Sequence, residues 1–138
     1  MEHLFFRCPC CGSLAALLRE GEGCLCCCGR PMTVLLPKTG PEGGEPAETH
    51  LPRVRLQGDT VTVEVGAQPH PSLPEHRILW ILLQTRYGGQ YRLLPPAGPP
   101  RAVFRLEGDF PVAAYAFCSR DGLWRAEVLI FFHFSFFS

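Results

Sequence analysis

Lysine is almost absent from this sequence of 138 residues, since its thirteen basic side chains are twelve arginines and Lys38. Acidic and basic side chains are equal in number, so the formal net charge is zero. A chain without surplus positive charge is not expected to bind nucleic acid or an anionic membrane. The late apolar run, residues 128–137, is shorter than the ~20 residues of a membrane-spanning helix. We therefore predict no nucleic-acid partner and no membrane association.

The first residues also lack the apolar core and cleavage site of a secretory signal peptide, which predicts a cytoplasmic protein. Long helices are not expected, because fourteen prolines and fourteen glycines favour frequent turns. Apolar residues are plentiful, at 46% of the chain. Length and composition therefore suit one ordinary domain, or a small domain beside a compact one.

Cysteine is concentrated at one end, with seven of the eight cysteines in the first 28 residues. In a reducing compartment such a cluster binds metal more often than it forms disulfides. The first pair is Cys8-x-x-Cys11, and the second is either Cys24-x-x-Cys27 or the adjacent pair Cys27-Cys28. Four thiolates suit zinc or a single iron. Two adjacent ligands would strain the chain, so spacing alone leaves the second pair open.

Composition divides the chain into four parts. We predict a cysteine-rich metal domain over residues 1–37, a linker rich in glycine and proline over 38–47, a β domain over 48–130 and an apolar tail over 131–138. The first part has too little core to fold without a staple, which a metal can supply.

The β domain is predicted from short apolar runs between turns. Residues 60–65 alternate strictly between apolar and polar, and residues 78–83 read as a buried strand. Further strand candidates are residues 91–94, 102–106, 112–117 and 124–132. About seven short strands with regular turn signals predict a mainly β fold, an antiparallel immunoglobulin-like sandwich.

Four potential metal ligands are scattered over this apolar, strand-rich stretch: His50, His70, His76 and Cys118. Imidazoles with one thiolate on a β scaffold suggest a redox-active transition-metal site. A single histidine in a proline-rich loop, or a single cysteine in a core, is more often only structural. Spacing alone therefore leaves both interpretations open.

Taken together, these motifs resemble desulfoferrodoxin, the two-domain form of superoxide reductase. The resemblance runs from about residue 6 to residue 127 and implies a small desulforedoxin-like (rubredoxin-like) domain followed by the sandwich. The motifs that carry it, in order, are Cys8-x-x-Cys11-Gly12, Cys27-Cys28-Gly29-Arg30-Pro31-Met32, Glu48-Thr49-His50-Leu51-Pro52, His70-Pro71 to His76 with Ile78-Leu79-Trp80-Ile81, Tyr115-Ala116-Phe117-Cys118 and Gly122-Leu123-Trp124-Arg125-Ala126-Glu127.

The resemblance implies two mononuclear iron sites per chain. The first would use the adjacent pair, with zinc as a possible substitute, and would leave the other three cysteines as extra thiols. The second would have four equatorial imidazoles and an axial thiolate, with Glu48 as a sixth ligand in the oxidised state. The implied ligands are Cys8, Cys11, Cys27 and Cys28 at the first site, and His50, His70, His76 and Cys118 at the second.

The sequence departs from the family at two places. The fourth imidazole comes from a Cys-x-x-His motif, which reads Cys118-Ser119-Arg120-Asp121 here, so Asp121 either binds as a carboxylate or points away. The family also carries a lysine before the first histidine, which attracts superoxide and helps to protonate the product. Thr49 replaces it.

No lysine is expected to substitute at this site, because Lys38 is the only one in the chain. An arginine such as Arg53 or Arg120 would have to supply the positive charge.

The resemblance implies an oxidoreductase that reduces superoxide to hydrogen peroxide, weakened by these departures. The alternative is a repurposed or catalytically impaired metal-binding or electron-transfer protein. A third possibility is an altered enzyme acting on oxygen or an organic substrate. A rubredoxin-like electron donor and a homodimer are also implied, and we expect the phenylalanine-rich tail to contribute to the dimer contact.

Overall fold

The computed structural model describes residues 4–40, 47–67 and 70–128, of which residues 4, 47 and 48 are described by their backbone alone. Contacts within the chain separate two compact units, with the boundary between Pro37 and Lys38. The fold is nearly all β, as the sequence predicts. No helix in these ranges is long and apolar enough to cross a membrane.

The first unit consists of two small antiparallel sheets. β1 (Leu4–Arg7) lies between β2 (Leu14–Leu17) and β5 (Thr33–Leu35), and β3 (Cys26–Cys27) pairs with β4 (Arg30–Pro31). Among the described residues of this unit, only Phe5 and Cys8 are buried. Two side chains are too little core for a unit of this size, which agrees with a structure stabilised by metal.

The second unit is a sandwich of two antiparallel sheets. A one-turn helix α1 precedes seven strands, which form a three-stranded sheet in the order β10-β7-β6 and a four-stranded sheet in the order β12-β11-β8-β9. Their bounds are α1 (Ala47–His50), β6 (Pro52–Gln57), β7 (Thr60–Val65), β8 (Ile78–Thr85), β9 (Gly89–Leu93), β10 (Arg101–Arg105), β11 (Pro111–Cys118) and β12 (Gly122–Glu127).

The core lies between the two sheets. Strand β7 shows why it forms, since Val61, Val63 and Val65 are buried and the residues between them are partly exposed. These valines pack with side chains of β8, β10 and β11, including Ile81, and with Cys118 at the end of β11. Apolar burial at alternate positions therefore explains both the strand and its orientation.

All six predicted strands are confirmed, with ends that differ by a few residues. Strand β6 is not among the predicted strands, although residues 53–57 alternate between polar and apolar side chains. It lies at a sheet edge and exposes most of its side chains. Strand β12 ends at Glu127, and the apolar tail lies outside the described residues.

The fold brings several connections to one end of the sandwich. Residue 52 at the start of β6 pairs with residue 65 at the end of β7, and residue 118 at the end of β11 pairs with residues 78 and 122. The register between β11 and β8 shifts after residue 117, an irregularity of the kind that re-aims a side chain. The four sequence-predicted ligands of the second site lie in these connections.

Candidate metal centres

The first centre is a group of four thiols in the cysteine-rich unit. The sulfurs of Cys8, Cys11, Cys27 and Cys28 all lie within 4.8 Å of one another. Sulfurs about 2.3 Å from one ion in a tetrahedron lie roughly 3.8 Å apart. The Cys11 and Cys27 sulfurs are 3.6 Å apart, and those of Cys27 and Cys28 are 4.0 Å apart. The spacing therefore fits a single four-coordinate ion.

The first knuckle is shaped by backbone hydrogen bonds around Cys8. The amides of Cys10 and Cys11 both donate to the Cys8 sulfur at 3.4 Å, and the Gly12 amide donates to the Cys8 carbonyl at 3.0 Å. Gly12 has a φ of +79°, a conformation that side chains disfavour. The knuckle therefore directs N–H dipoles at a sulfur that would carry negative charge as a ligand.

The second pair shows the strain expected of adjacent ligands. Cys28 has a φ of +54° and is the one non-glycine residue with positive φ in the described ranges. A side chain held in this region costs on the order of 1–3 kcal/mol. Of the two pairs that spacing left open, the structure therefore gathers the adjacent one and accepts its backbone cost.

The four thiols cannot all ionise easily in this arrangement. Hydrogen bonds from the side chain and backbone of Ser13 lower the pKa of Cys11 to about 6. The neighbouring sulfurs of Cys11, Cys8 and Cys10 raise the pKa of Cys28 to about 12. A bound cation would remove this conflict, because it stabilises every thiolate at once.

The three extra cysteines lie outside this group of four. Cys24 and Cys26 are exposed and their sulfurs are 3.5 Å apart, and Cys10 is exposed as well. Cys24, the other candidate partner of Cys27, thus contacts Cys26 instead.

Replacing Cys28 by serine is expected to remove the metal from the first centre, because a neutral hydroxyl is a poor substitute for a thiolate. Replacing Cys24 by serine is the matched control and should leave the metal in place. It also removes an exposed thiol near β3, since Cys24 lies shortly before this strand and Cys28 directly after it. Metal per chain, measured in the purified variants by elemental analysis, checks both. Metal lost from Cys24→Ser and kept in Cys28→Ser would assign the site to the other pair.

The second centre lies in the sandwich, at the end where the connections meet. The ligand atoms of His50, His70, His76 and Cys118 all lie within 4.8 Å of one another. His50 ends α1, His70 and His76 lie in the connection between β7 and β8, and Cys118 ends β11. Nitrogens about 2.1 Å from one ion lie about 3 Å apart at right angles and about 4 Å apart when opposite. The Nε2 atoms of His50 and His70 are 3.3 Å apart, which is the right-angle distance.

His70 has a defined tautomer. Its Nδ1 lies 2.8 Å from the carbonyl oxygen of Pro71, and a carbonyl can only accept, so Nδ1 carries the proton and donates. Burial lowers the pKa of His70, which keeps the ring neutral. The Nε2 lone pair is therefore directed at the centre, as in histidines that bind metal.

His50 is held from two sides. The Thr49 hydroxyl lies 2.9 Å from Nδ1 of His50, and the ring stacks on Trp124 with centroids 4.8 Å apart. Thr49, the residue that replaces the family's lysine, thus contacts the far nitrogen of this histidine. Both contacts leave Nε2 facing the centre.

His76 completes the imidazoles. Its Nε2 is buried and makes no hydrogen bond of acceptable geometry, although a carboxylate oxygen of Asp121 lies 3.2 Å away. A buried nitrogen without a hydrogen bond is costly unless another partner satisfies it. A metal ion would be such a partner.

Asp121 reaches the same centre. Its Oδ2 lies 3.0 Å from Nε2 of His50 and 3.8 Å from the sulfur of Cys118. Burial alone would raise the pKa of Asp121, but the hydrogen bond to His50 and the charges of His50, His76 and Arg120 outweigh it and lower the pKa. The carboxylate is therefore ionised and lies within reach of an ion shared with these side chains.

Cys118 is the most enclosed member of the group. It is fully buried, its sulfur lies 3.4 Å from Nε2 of His70, and the Asp121 amide donates to it at 3.3 Å. Burial raises the pKa of the Cys118 thiol. A cation at the centre would offset this penalty and stabilise the thiolate.

Lys38 also lies near this centre, where the sequence leads us to expect no substitute for the family's lysine. Its Nζ donates to the carbonyl oxygen of Asp121 at 3.0 Å and lies 5.3 Å from the ring centroid of Trp124. Sequence reasoning missed it because Lys38 is far from His50 along the chain. Of the two arginines considered instead, Arg53 is exposed in β6, and Arg120 is exposed beside Asp121.

Glu48 is the remaining predicted residue. It lies in α1, two residues before His50, and its side chain is outside the described part of the chain.

The type and spacing of the donors in the second centre, together with the unsatisfied Nε2 of His76, fit a transition-metal ion at this centre.

Comparison with known families gives matches in both units of the chain. A family model described as "Desulfoferrodoxin, N-terminal domain" matches residues 2–35, and one described as "Desulfoferrodoxin" matches residues 42–127. A "Desulfoferrodoxin homolog" of Archaeoglobus fulgidus is 35% identical over 88% of this chain and 94% of its own length. A desulfoferrodoxin of Nitratidesulfovibrio vulgaris is 32% identical over 91% of this chain and 97% of its own length.

Solved structures give the same picture. The superoxide reductase of Treponema pallidum matches with a TM-score of 0.77 and 30% identity, over 91% of this chain and 98% of its own. A superoxide reductase (neelaredoxin) of Ignicoccus hospitalis matches with a TM-score of 0.53 and 25% identity, over 67% of this chain and 91% of its own. Variants of that protein replace a glutamate by alanine and the next residue, a threonine, by lysine.

Proposed function

Because this chain belongs to the desulfoferrodoxin family, we propose that it reduces superoxide to hydrogen peroxide at an iron held by the second centre. The observation that carries the proposal is the convergence of three imidazoles and one thiolate within 4.8 Å. The overall reaction adds one electron and two protons to one superoxide. Family members with solved structures are described as superoxide reductases.

The proposed ligands are His50, His70, His76 and Cys118, with Asp121 in the place of the fourth imidazole. Bound ferrous iron would supply the electron, and an external donor would restore it. The protein would keep His70 in its binding form, since the Nδ1 proton of His70 is fixed by a carbonyl and the ring stays neutral. His70 would thus need no change of tautomer to hold the ion.

Asp121 is the reason to expect a reduction potential and a reaction rate that differ from those of relatives with four imidazoles. An anionic oxygen in the ligand set stabilises ferric over ferrous iron, so we expect a lower reduction potential and a slower reaction. Thr49 does not supply positive charge but orients His50 through its hydroxyl. A glutamate followed by a threonine also occurs in the superoxide reductase of Ignicoccus hospitalis, which supports the compatibility of this pair with the activity.

The experiment is to reduce the iron-loaded protein and mix it rapidly with superoxide. We expect stoichiometric hydrogen peroxide and oxidation of the second centre, followed by its absorption band. Two irons per chain, measured beforehand, would support both centres. One iron with only a four-thiolate spectrum, or a reduced second centre that superoxide leaves unchanged, would favour the repurposed electron-transfer protein. Oxidation by oxygen alone would favour the altered enzyme.

Several finer features are part of the same proposal. We propose iron at the four-thiolate centre, with zinc as the competing metal, and a rubredoxin-like protein as electron donor. Glu48 is proposed as a sixth ligand of the oxidised second centre. A cytoplasmic homodimer is proposed from the sequence and the family resemblance. Metal analysis of the full-length protein would test the metal identity, and its sedimentation would test the oligomeric state.

A further inference from the structure

We propose that Lys38 is a positioning residue of the second centre, which anchors Asp121 beside the histidines and places a fixed positive charge there. The inference rests on the proposed iron at this centre but not on its reaction with superoxide. It assigns a role to the only lysine of the chain, at a site where the family's usual lysine is replaced by Thr49.

The Lys38 side chain is directed by two contacts. The ammonium donates to the Asp121 carbonyl at 3.0 Å and lies 5.3 Å from the centroid of the Trp124 ring. A hydrogen bond from a charged donor to a carbonyl is stronger than one from a neutral donor. A cation over the face of an indole is also attracted by the ring. Both contacts involve residues of the turn and strand that follow Cys118.

The Lys38 backbone is held as firmly as its side chain. Its amide donates to the carbonyl of Leu123 at 2.8 Å, and its carbonyl accepts from the amide of Arg125 at 2.9 Å. Lys38 therefore forms a parallel bridge with Trp124. Main-chain bonds on both sides fix where the long side chain starts, which lowers the entropy lost when the ammonium binds.

These contacts also connect Lys38 to His50, a proposed ligand. The indole N–H of Trp124 donates to the same Asp121 carbonyl at 3.2 Å, and the indole stacks on His50 at 4.8 Å. His50 in turn lies 3.0 Å from the Asp121 carboxylate. A displacement of Lys38 would therefore shift Asp121 directly, and would shift His50 through Trp124.

The charge of Lys38 complements that of Asp121. With Cys118 as thiolate and Asp121 as carboxylate, the proposed ligand set carries two negative charges. Arg120 is the nearby alternative cation, but it is exposed, and solvent and salt screen exposed charges strongly. Lys38 is half-buried, so its charge acts through a less polar medium.

The experiment measures the reduction potential of the second iron in the full-length protein. Lys38→Met removes the charge and the donor, and we expect it to favour ferric iron about tenfold, which corresponds to a potential lower by about 59 mV for one electron. Lys38→Arg keeps the charge and a donor and should restore most of the shift. Lys38→Gln keeps a donor without the charge and should behave as Lys38→Met in potential.

Arg105→Gln is the matched control, because Arg105 is an exposed cation of β10 and its loss should leave the potential unchanged. The four-thiolate iron provides an internal control, since all its donors lie in the other unit. If Lys38→Met does not fold, the comparison of Lys38→Gln with Lys38→Arg decides the question.

An unchanged potential in Lys38→Met or Lys38→Gln, or the same shift in Lys38→Arg, would overturn the inference. The result is independent of the proposed activity. A shifted potential in a protein that does not react with superoxide would support Lys38 while rejecting the reductase function.

Discussion

Replacement of Cys118 by alanine should empty the second centre and leave metal only at the four-thiolate centre. Cys118 is the one soft donor of its group, is fully buried and receives an N–H bond from Asp121. Loss of a ligand should cost more than the 10- to 100-fold in metal affinity that outer contacts typically contribute, so we expect a loss of at least about 100-fold. Superoxide reduction should fall with the metal.

The fold should survive this change. Removing one sulfur from a core resembles removing a methyl group, which costs roughly 1 kcal/mol. The measurements are metal content, the thiolate-to-iron absorption band and the urea unfolding curve of the variant. Cys24→Ser is the control for loss of a thiol, because Cys24 is exposed and outside both groups of ligands. Full metal content in Cys118→Ala would remove the thiolate from the proposed site.

Replacement of Asp121 by alanine should have the second largest effect. Its carboxylate lies 3.0 Å from His50 and 3.2 Å from His76, so its loss should lower metal affinity by at least about 10-fold, the smallest effect typical of an outer contact. The reduction potential should rise, since a negative charge that favours ferric iron is removed. Titration of the metal-free protein with Co²⁺ measures the affinity, and redox titration of the iron form measures the potential.

Two further variants separate charge from shape. Asp121→Asn keeps the size of the side chain without its charge, and should raise the potential while keeping more affinity than Asp121→Ala. Asp121→His restores the four-imidazole set of the family, and should react faster with superoxide than the natural chain. An unchanged affinity and potential in Asp121→Ala would mean that the carboxylate does not share the ion.

Much of the fold could be predicted because its signals are local. The valines of β7 alternate with polar residues, and β8 is a continuous apolar run, so each strand can be recognised within a few residues of sequence. The four-cysteine motif is also local, although spacing left two choices for its second pair. The structure places the adjacent pair beside Cys8 and Cys11, with Cys28 in a left-handed conformation, and no sequence pattern reports a backbone angle of this kind.

The surroundings of the second centre could not be predicted in the same way. Lys38 and Asp121 are 83 residues apart, and their contact depends on a backbone bridge to Trp124. The side chain that orients His50 is adjacent in sequence, but its role depends on the helical turn that ends at His50. Contacts that depend on tertiary structure leave no periodic pattern in the sequence. The candidate ligands could therefore be recognised, but the residues that position them could not.

The hairpin of β11 and β12 gives the second centre a kinetic property. Cys118, Asp121 and Trp124 all belong to this hairpin, which is joined by six residue pairs from Ala113 with Glu127 to Cys118 with Gly122. Two of the five proposed donors, Cys118 and Asp121, can therefore leave the ion together only when this hairpin opens. The lifetime of the bound metal should then depend on the rate of that local opening as well as on the strength of single bonds.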